Sequence, residues 1–214
     1  PPIMRETNML TDDFTVHIVD DEEAVRKSLA FMLSMNGFAV RVHESATAFH
    51  SFAPSARNAV LVTDLRMPDM SGVELIRRLA AIKPRIPSLV ITGHGDVPMA
   101  VEAMKAGAID FIEKPFDDIL IIEAILRAAE MLTESQVATD DLEEVRSRLE
   151  ALSERERQVL SAVVAGLPNK SIAYDLDISP RTVEVHRANV MSKMRAKSLP
   201  QLVRMALAAG FGPN

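Results

Sequence analysis

No cysteine occurs among the 214 residues, which rules out a disulfide framework and a thiolate metal site and suits a reducing, cytoplasmic setting. No apolar run approaches the roughly 20 residues that cross a bilayer, so no membrane partner is expected. The opening PPIMRETNML has one arginine and no long apolar stretch, and is not expected to act as a secretory signal. Residues 1–8 show no periodic pattern, Met9 stands where a native chain could begin, and 1–11 are expected to lack structure of their own. Internal repeats and low-complexity segments are also missing. An overall excess of basic charge is lacking too: the net charge of −6, taken alone, argues against a nucleic-acid partner.

The distribution of that charge reverses the argument. Residues 1–130 carry −6, residues 131–152 carry −4, and residues 153–214 carry +4. An acidic front and a basic rear suit a regulator with one DNA-binding end.

Over 12–130, short apolar runs rich in Val and Ile alternate with amphipathic stretches. The runs are Thr15–Val19, Ala39–Val42, Ala59–Thr63, Ser88–Thr92 and Ile109–Ile112, and they read as strands buried on both faces. Between them, Glu22–Asn36, Ser45–Ala53, Gly72–Ile82, Val97–Ala106 and Asp117–Glu130 carry apolar residues at helical spacing. Five strand–helix repeats predict an α/β domain with a five-stranded, doubly wound parallel sheet. Ligands of such sheets sit beyond the carboxyl ends of the strands.

Those ends carry Asp20 and Asp21, Asp64, Thr92, and Lys114 followed by Pro115. Three gathered carboxylates repel one another, which raises the pKa of at least one unless a cation intervenes. A hard divalent ion with oxygen ligands, Mg²⁺, answers that need. The expected roles follow. Asp64 is the nucleophile toward phosphorus and becomes an aspartyl phosphate. Asp20, Asp21, Asp64 and the backbone carbonyl of Arg66 surround the metal. Lys114 is a point charge for phosphoryl oxygens, and the Thr92 hydroxyl donates to one of them. His94 has no second histidine nearby, which weakens a metal-ligand role. The Val62–Arg66 stretch has no second aspartate two residues after Asp64, which argues against a dehalogenase-like phosphatase. A carboxylate-lined site also suits a small-molecule sensor poorly.

The stretches HIVDDEEAVRKSL, VLVTDLRMPDMSGVEL, VITGHGD and FIEKPF resemble the receiver domain of response regulators. That resemblance implies a CheY-like fold, phosphoryl transfer from a histidine kinase to Asp64, a cis Lys114–Pro115 bond, and a switch in which Phe111 moves with Thr92. It implies no enzyme acting on a separate substrate.

Residues 131–152 read as a mainly helical linker, with Leu142, Val145, Leu149 and Leu152 on one stripe that either packs on a domain or forms a short coiled-coil seam. Residues 153–212 read as all-helical. Ser153-x-x-Glu156 is a capping box. Gly166 and Pro168 end that helix, Asn169 is placed to cap a second over Lys170–Leu176, and Asp177-Ile178 makes a turn. Ser179-Pro180 opens a third helix, completing a helix-turn-helix. At about 100° per residue, Val183, Val190 and Met194 of that helix face inward. Arg181, Glu184, Val185, Ala188 and Ser192 face outward, as a helix entering the major groove requires. Glu184 and Val185 are placed to read bases. Lys170, Thr182, Asn189 and Lys193 are placed near phosphates, and Arg187 packs its stem while its head reaches the backbone.

LSERERQVLSAVVAGLPNKSIAYDLDISPRTVEVHRANVMSKM resembles the LuxR/NarL-type, four-helix DNA-binding domain. The combined chain is similar to the nitrogen-fixation response regulators of rhizobia. This implies a phosphorylation-dependent homodimer on promoter DNA, contact with RNA polymerase, an oxygen-sensing haem histidine kinase as partner, and activation of nitrogen-fixation and microaerobic genes.

Overall fold

The computed structural model describes residues 13–82, 85–93, 95, 97–133 and 138–212. The N-terminal segment 1–11 and His94 lie outside them. The described residues fall into two compact units, one within 1–94 and 106–135, the other within 95–105 and 136–214. Helix 97–106 thus groups with the second unit, whereas the strand–helix alternation counts it with the first.

In the first unit, strands β1 (Thr15–Val19), β2 (Ala39–His43), β3 (Ala59–Asp64), β4 (Ser88–Thr92) and β5 (Asp110–Glu113) form one sheet in the order β2-β1-β3-β4-β5. Every pairing is parallel. The helices between them are α1 (Glu23–Met35), α2 (Ala46–Phe52), α3 (Gly72–Leu79), α4 (Val97–Ala106) and α5 (Asp118–Thr133). Alternation along β3 sorts its side chains to two cores. Val60 and Val62 join Leu29, Leu33, Ile121 and Ile125 from α1 and α5. Leu61 joins Phe49, Leu75 and Leu79 from α2 and α3.

Central β3 and β4 are buried throughout, as their apolar runs predict. β2 is not: it is an edge strand, and only two of its five residues are even partly covered. Helix starts obey local chemistry. The Ser45 and Ser71 hydroxyls accept the amides of Ala48 and Glu74, satisfying donors that the first turn leaves open.

The second unit also holds α6 (Ala138–Glu150), α7 (Glu154–Val164), α8 (Asn169–Leu176), α9 (Pro180–Met194) and α10 (Leu199–Ala208). Its core joins Leu160 and Val164 of α7 to Val190 and Met194 of α9 and to Leu202 and Ala206 of α10, with Leu149 and Leu152 at the end of α6. The C-terminal part of the linker stripe packs on this core: Leu149 and Leu152 are buried in it and Val145 lies partly against it, while Leu142 is partly buried and outside it. No described helix is long and apolar enough to cross a membrane.

Candidate functional sites

The pocket is built where the carboxyl ends of β1, β3, β4 and β5 meet. Asp20 follows β1 and is buried, and Asp64 ends β3 at 9% exposure. Each carboxylate has one oxygen tied to a backbone amide. Asp20 Oδ1 accepts the Glu22 N–H at 2.8 Å, and Asp64 Oδ2 accepts the Arg66 N–H at 2.8 Å. Their other oxygens converge on one ammonium, with Asp20 Oδ2 at 3.4 Å and Asp64 Oδ1 at 3.5 Å from Lys114 Nζ. Asp64 Oδ1 is thereby left without an amide partner and faces a cation.

Burial is the main force raising the Asp64 carboxyl above its ordinary range, and the charge of Asp20 adds to it. The Arg66 amide and Lys114 work against both.

Thr92 ends β4 and is buried, and its carbonyl accepts the Lys114 N–H at 2.8 Å, which sets the height at which the lysine leaves β5. The Lys114–Pro115 bond is cis, as the resemblance implies. Phe111 lies on β5 opposite Val90, partly buried. Gly72, the first residue of α3, donates its N–H to the Leu65 carbonyl, and a Cβ there would stand 2.3 Å from the Asp64 carbonyl oxygen.

Asp21 departs from the expectation of three gathered carboxylates. It is exposed, and among the described residues no set of three or more acidic or histidine groups is close enough to hold a metal ion. Successive residues of an extended chain point opposite ways, so burying Asp20 turns Asp21 outward. The donor set that remains is two carboxylates, each with one oxygen held by an amide and the other facing Lys114, beside the exposed Arg66. Hard oxygens carrying excess negative charge fit a hard cation in chemistry.

The helical unit turns one polar face of α9 to solvent. Val183, Val190 and Met194 are buried, while Arg181, Glu184, Val185, Ala188, Asn189 and Ser192 are exposed. Val185 is 53% exposed, an aliphatic side chain turned to solvent at the middle of a polar face. Arg181, Glu184, Val185 and Ala188 border one shallow depression. The turn before α9 is made by Asp177 in the left-handed region (φ 52°) and closed by the Ile178 N–H on the Ala173 carbonyl. Lys170 is exposed on α8. Thr182 donates its backbone N–H to the Ser179 hydroxyl at 3.0 Å, which caps α9.

One expectation is corrected here. Pro168, in extended backbone, stands at the cap position of α8, and Asn169 is already helical. The Asn169 carboxamide oxygen instead accepts from Arg187 Nη1 at 2.8 Å. Lys193 is likewise engaged: its ammonium lies 2.7 Å from Glu156 Oε2. That carboxylate also accepts the Ser153 N–H of the capping box, and the Lys193 and Ser153 contacts hold the Glu156 carboxyl below its usual range. The capping box is legible from spacing. The further partner, 37 residues along the chain, carries no sequence signal. His186 is partly buried, and its Nδ1 has no hydrogen-bond partner, which fits a packing role.

The response regulator receiver domain matches residues 16–126, and the luxR family of bacterial regulatory proteins matches residues 150–206. The chain is 77% identical over 202 residues to the transcriptional regulatory protein FixJ of Rhizobium meliloti, covering 94% of this chain and 99% of that one. Against FixJ of Bradyrhizobium diazoefficiens it is 48% identical over 199 residues, covering 92% and 96%. Among solved structures, the crystal structure of FixJ-N is 75% identical over 59% of this chain and 98% of its own, with a TM-score of 0.54. Full-length FixJ from B. japonicum is 46% identical over 92% and 97%, with a TM-score of 0.53.

Proposed function

Because the chain belongs to the FixJ-type response regulators, transcriptional regulators that join a receiver to a luxR-family DNA-binding domain, we propose that phosphorylation of Asp64 by a histidine kinase switches its binding to promoter DNA. The convergence of Asp64 Oδ1 and Asp20 Oδ2 on Lys114 carries this reading.

Asp64 Oδ1 attacks the phosphorus of the kinase phosphohistidine. The P–N bond breaks, its electron pair stays on the imidazole nitrogen, and an aspartyl phosphate forms. Asp20 and Asp64, with Asp21 and the Arg66 carbonyl at the rim, would hold Mg²⁺, which supplies charge neutralisation for the phosphoryl group when bound. Lys114 holds one phosphoryl oxygen, and Thr92 turns its hydroxyl toward another. Phe111 follows into the space that Thr92 leaves, altering the outer surface at β5. Two receivers pair there, and the homodimer presents two α9 helices to a two-fold site on DNA.

The working boundaries are a receiver over 12–130, a linker over 131–152 and a DNA-binding domain over 153–212. The proposal extends to an oxygen-sensing haem kinase as partner, recruitment of RNA polymerase, and activation of nitrogen-fixation and microaerobic genes in the cytoplasm. Asp64→Asn is expected to lose labelling by phosphorylated kinase and the dimerisation that beryllofluoride with Mg²⁺ induces. A variant that still dimerises under that treatment refutes the switch.

A further inference from the structure

The linker helix α6 ends against the C-terminal end of α9, and the two ends are joined by named polar contacts. The last carbonyls of any α-helix lack partners within the helix. On α9 one of them, the Met194 carbonyl, accepts from Arg148 Nη1 of α6 at 3.2 Å. A cation is electrostatically favoured at that end of a helix. The Arg148 guanidinium is held in place by Glu144, one turn earlier on α6, and its side chain is only 20% exposed. Glu144 also accepts from Arg195 at 3.4 Å, and Arg195 is the left-handed residue that ends α9 (φ 53°). In return, Lys193 of α9 reaches the Ala151 carbonyl just past α6, at 3.4 Å. Beneath these contacts, Leu149 and Leu152 pack with Val190 and Met194.

We propose that α6 is a working part of the DNA-reading unit and that Arg148 is a positioning residue, fixing the angle at which α9 presents its outer face. This rests on the DNA-reading role of α9 given above. The charge of Arg148 is engaged by Glu144 and the helix end, so it adds no phosphate contact of its own. Its removal frees the C-terminal turn of α9 and spoils the alignment of Glu184 and Val185 with base edges, while the number of phosphate contacts stays the same.

The experiment uses the full chain, activated with beryllofluoride and Mg²⁺. The probe is a 30-base-pair duplex selected by the wild-type protein from a randomised pool, with a mixed-sequence duplex as competitor, titrated at several NaCl concentrations. Arg148→Met is expected to bind the selected duplex roughly tenfold more weakly, the weight of one charged hydrogen bond, with an unchanged slope of log affinity against log salt. Arg148→Lys, which still donates to the carbonyl, recovers most of the loss. Glu144→Gln, which keeps Arg148 but loosens it, gives an intermediate loss with the fold intact. Lys170→Ala serves as the reference for a phosphate contact and flattens the slope by about 1.

Wild-type affinity in Arg148→Met overturns the proposal, and so does a slope flattened as in Lys170→Ala, which makes Arg148 a direct contact. A wild-type protein that shows no preference for its selected duplex overturns the base-reading role of α9 itself, and the positioning role with it.

Discussion

Acid should loosen the sheet through one pair of histidines on its β1–β2 edge. His17 on β1 and His43 on β2 bring Nδ1 and Nε2 to 3.0 Å, with stacked rings 5.3 Å apart. Phe49 and Phe52 enclose them, and the Arg41 guanidinium sits 4.1 Å from the Phe52 ring centre. Burial, first, and the nearby Arg41 charge hold both imidazoles down from 6.5 to about 4, and His43 adds its own charge against His17. A neutral imidazole offers one donor and one acceptor, so the contact needs at least one neutral ring.

The sign follows from proton counting. The folded pKa lies below the unfolded one, so the unfolded chain takes up protons first. Stability is whole above pH 6.5 and is lost as pH falls from there toward 4. Each ring loses about 2 kcal/mol between pH 7 and pH 5, and the pair about 4 kcal/mol as an upper bound, because hydrogen-bonded rings titrate together. Amide exchange in β1 and β3 at pH 7, 6 and 5 reports the opening of the sheet itself once intrinsic exchange rates are divided out. The wild type should lose at least 2 kcal/mol more on acidification than His17→Leu/His43→Leu. Asp64 acts in the opposite sense, since its raised pKa costs stability that falling pH restores, but it is common to both proteins and cancels in the difference. Parallel losses in the two proteins refute the reasoning.

Two further outcomes are expected on the helical unit. Glu184→Ala should shift base preference at one or two positions of a selected site, measured by repeating the selection; uniform loss over all sequences would show that Glu184 reads no base. Asp177→Val forces a β-branched residue into the left-handed region and should destabilise the unit by about 1–2 kcal/mol in urea unfolding, while Asp177→Gly should not.

Much of this was legible because it is written in local periodicity. Five apolar runs fixed the strands, and parallel strand order then carries Asp20, Asp64, Thr92 and Lys114 to one edge whatever the details of packing. The inward face of α9 followed from 3.6-residue geometry alone. The missed parts share one trait, dependence on residues far apart in sequence. An edge strand such as β2 resembles a buried one until strand order is known. Asn169 is a plausible cap until Pro168 occupies that position and Arg187 arrives from another helix. Lys193 belongs on a phosphate-facing flank by angle, but Glu156 stands within reach of its long side chain. The exposure of Asp21 depends on which of two adjacent aspartates the fold buries, and the sequence is symmetric between them.

The missing side chain at position 72 means that Asp64 stands on a floor with no slack. A single methyl group there would overlap the oxygen of the Asp64 main chain, which is held from the other side by its strand. The loop over 65–71 can therefore vary in its outward chemistry only while its point of return stays pinned to one backbone-to-backbone touch. Redesign of that loop has freedom along its arch and none at its footing.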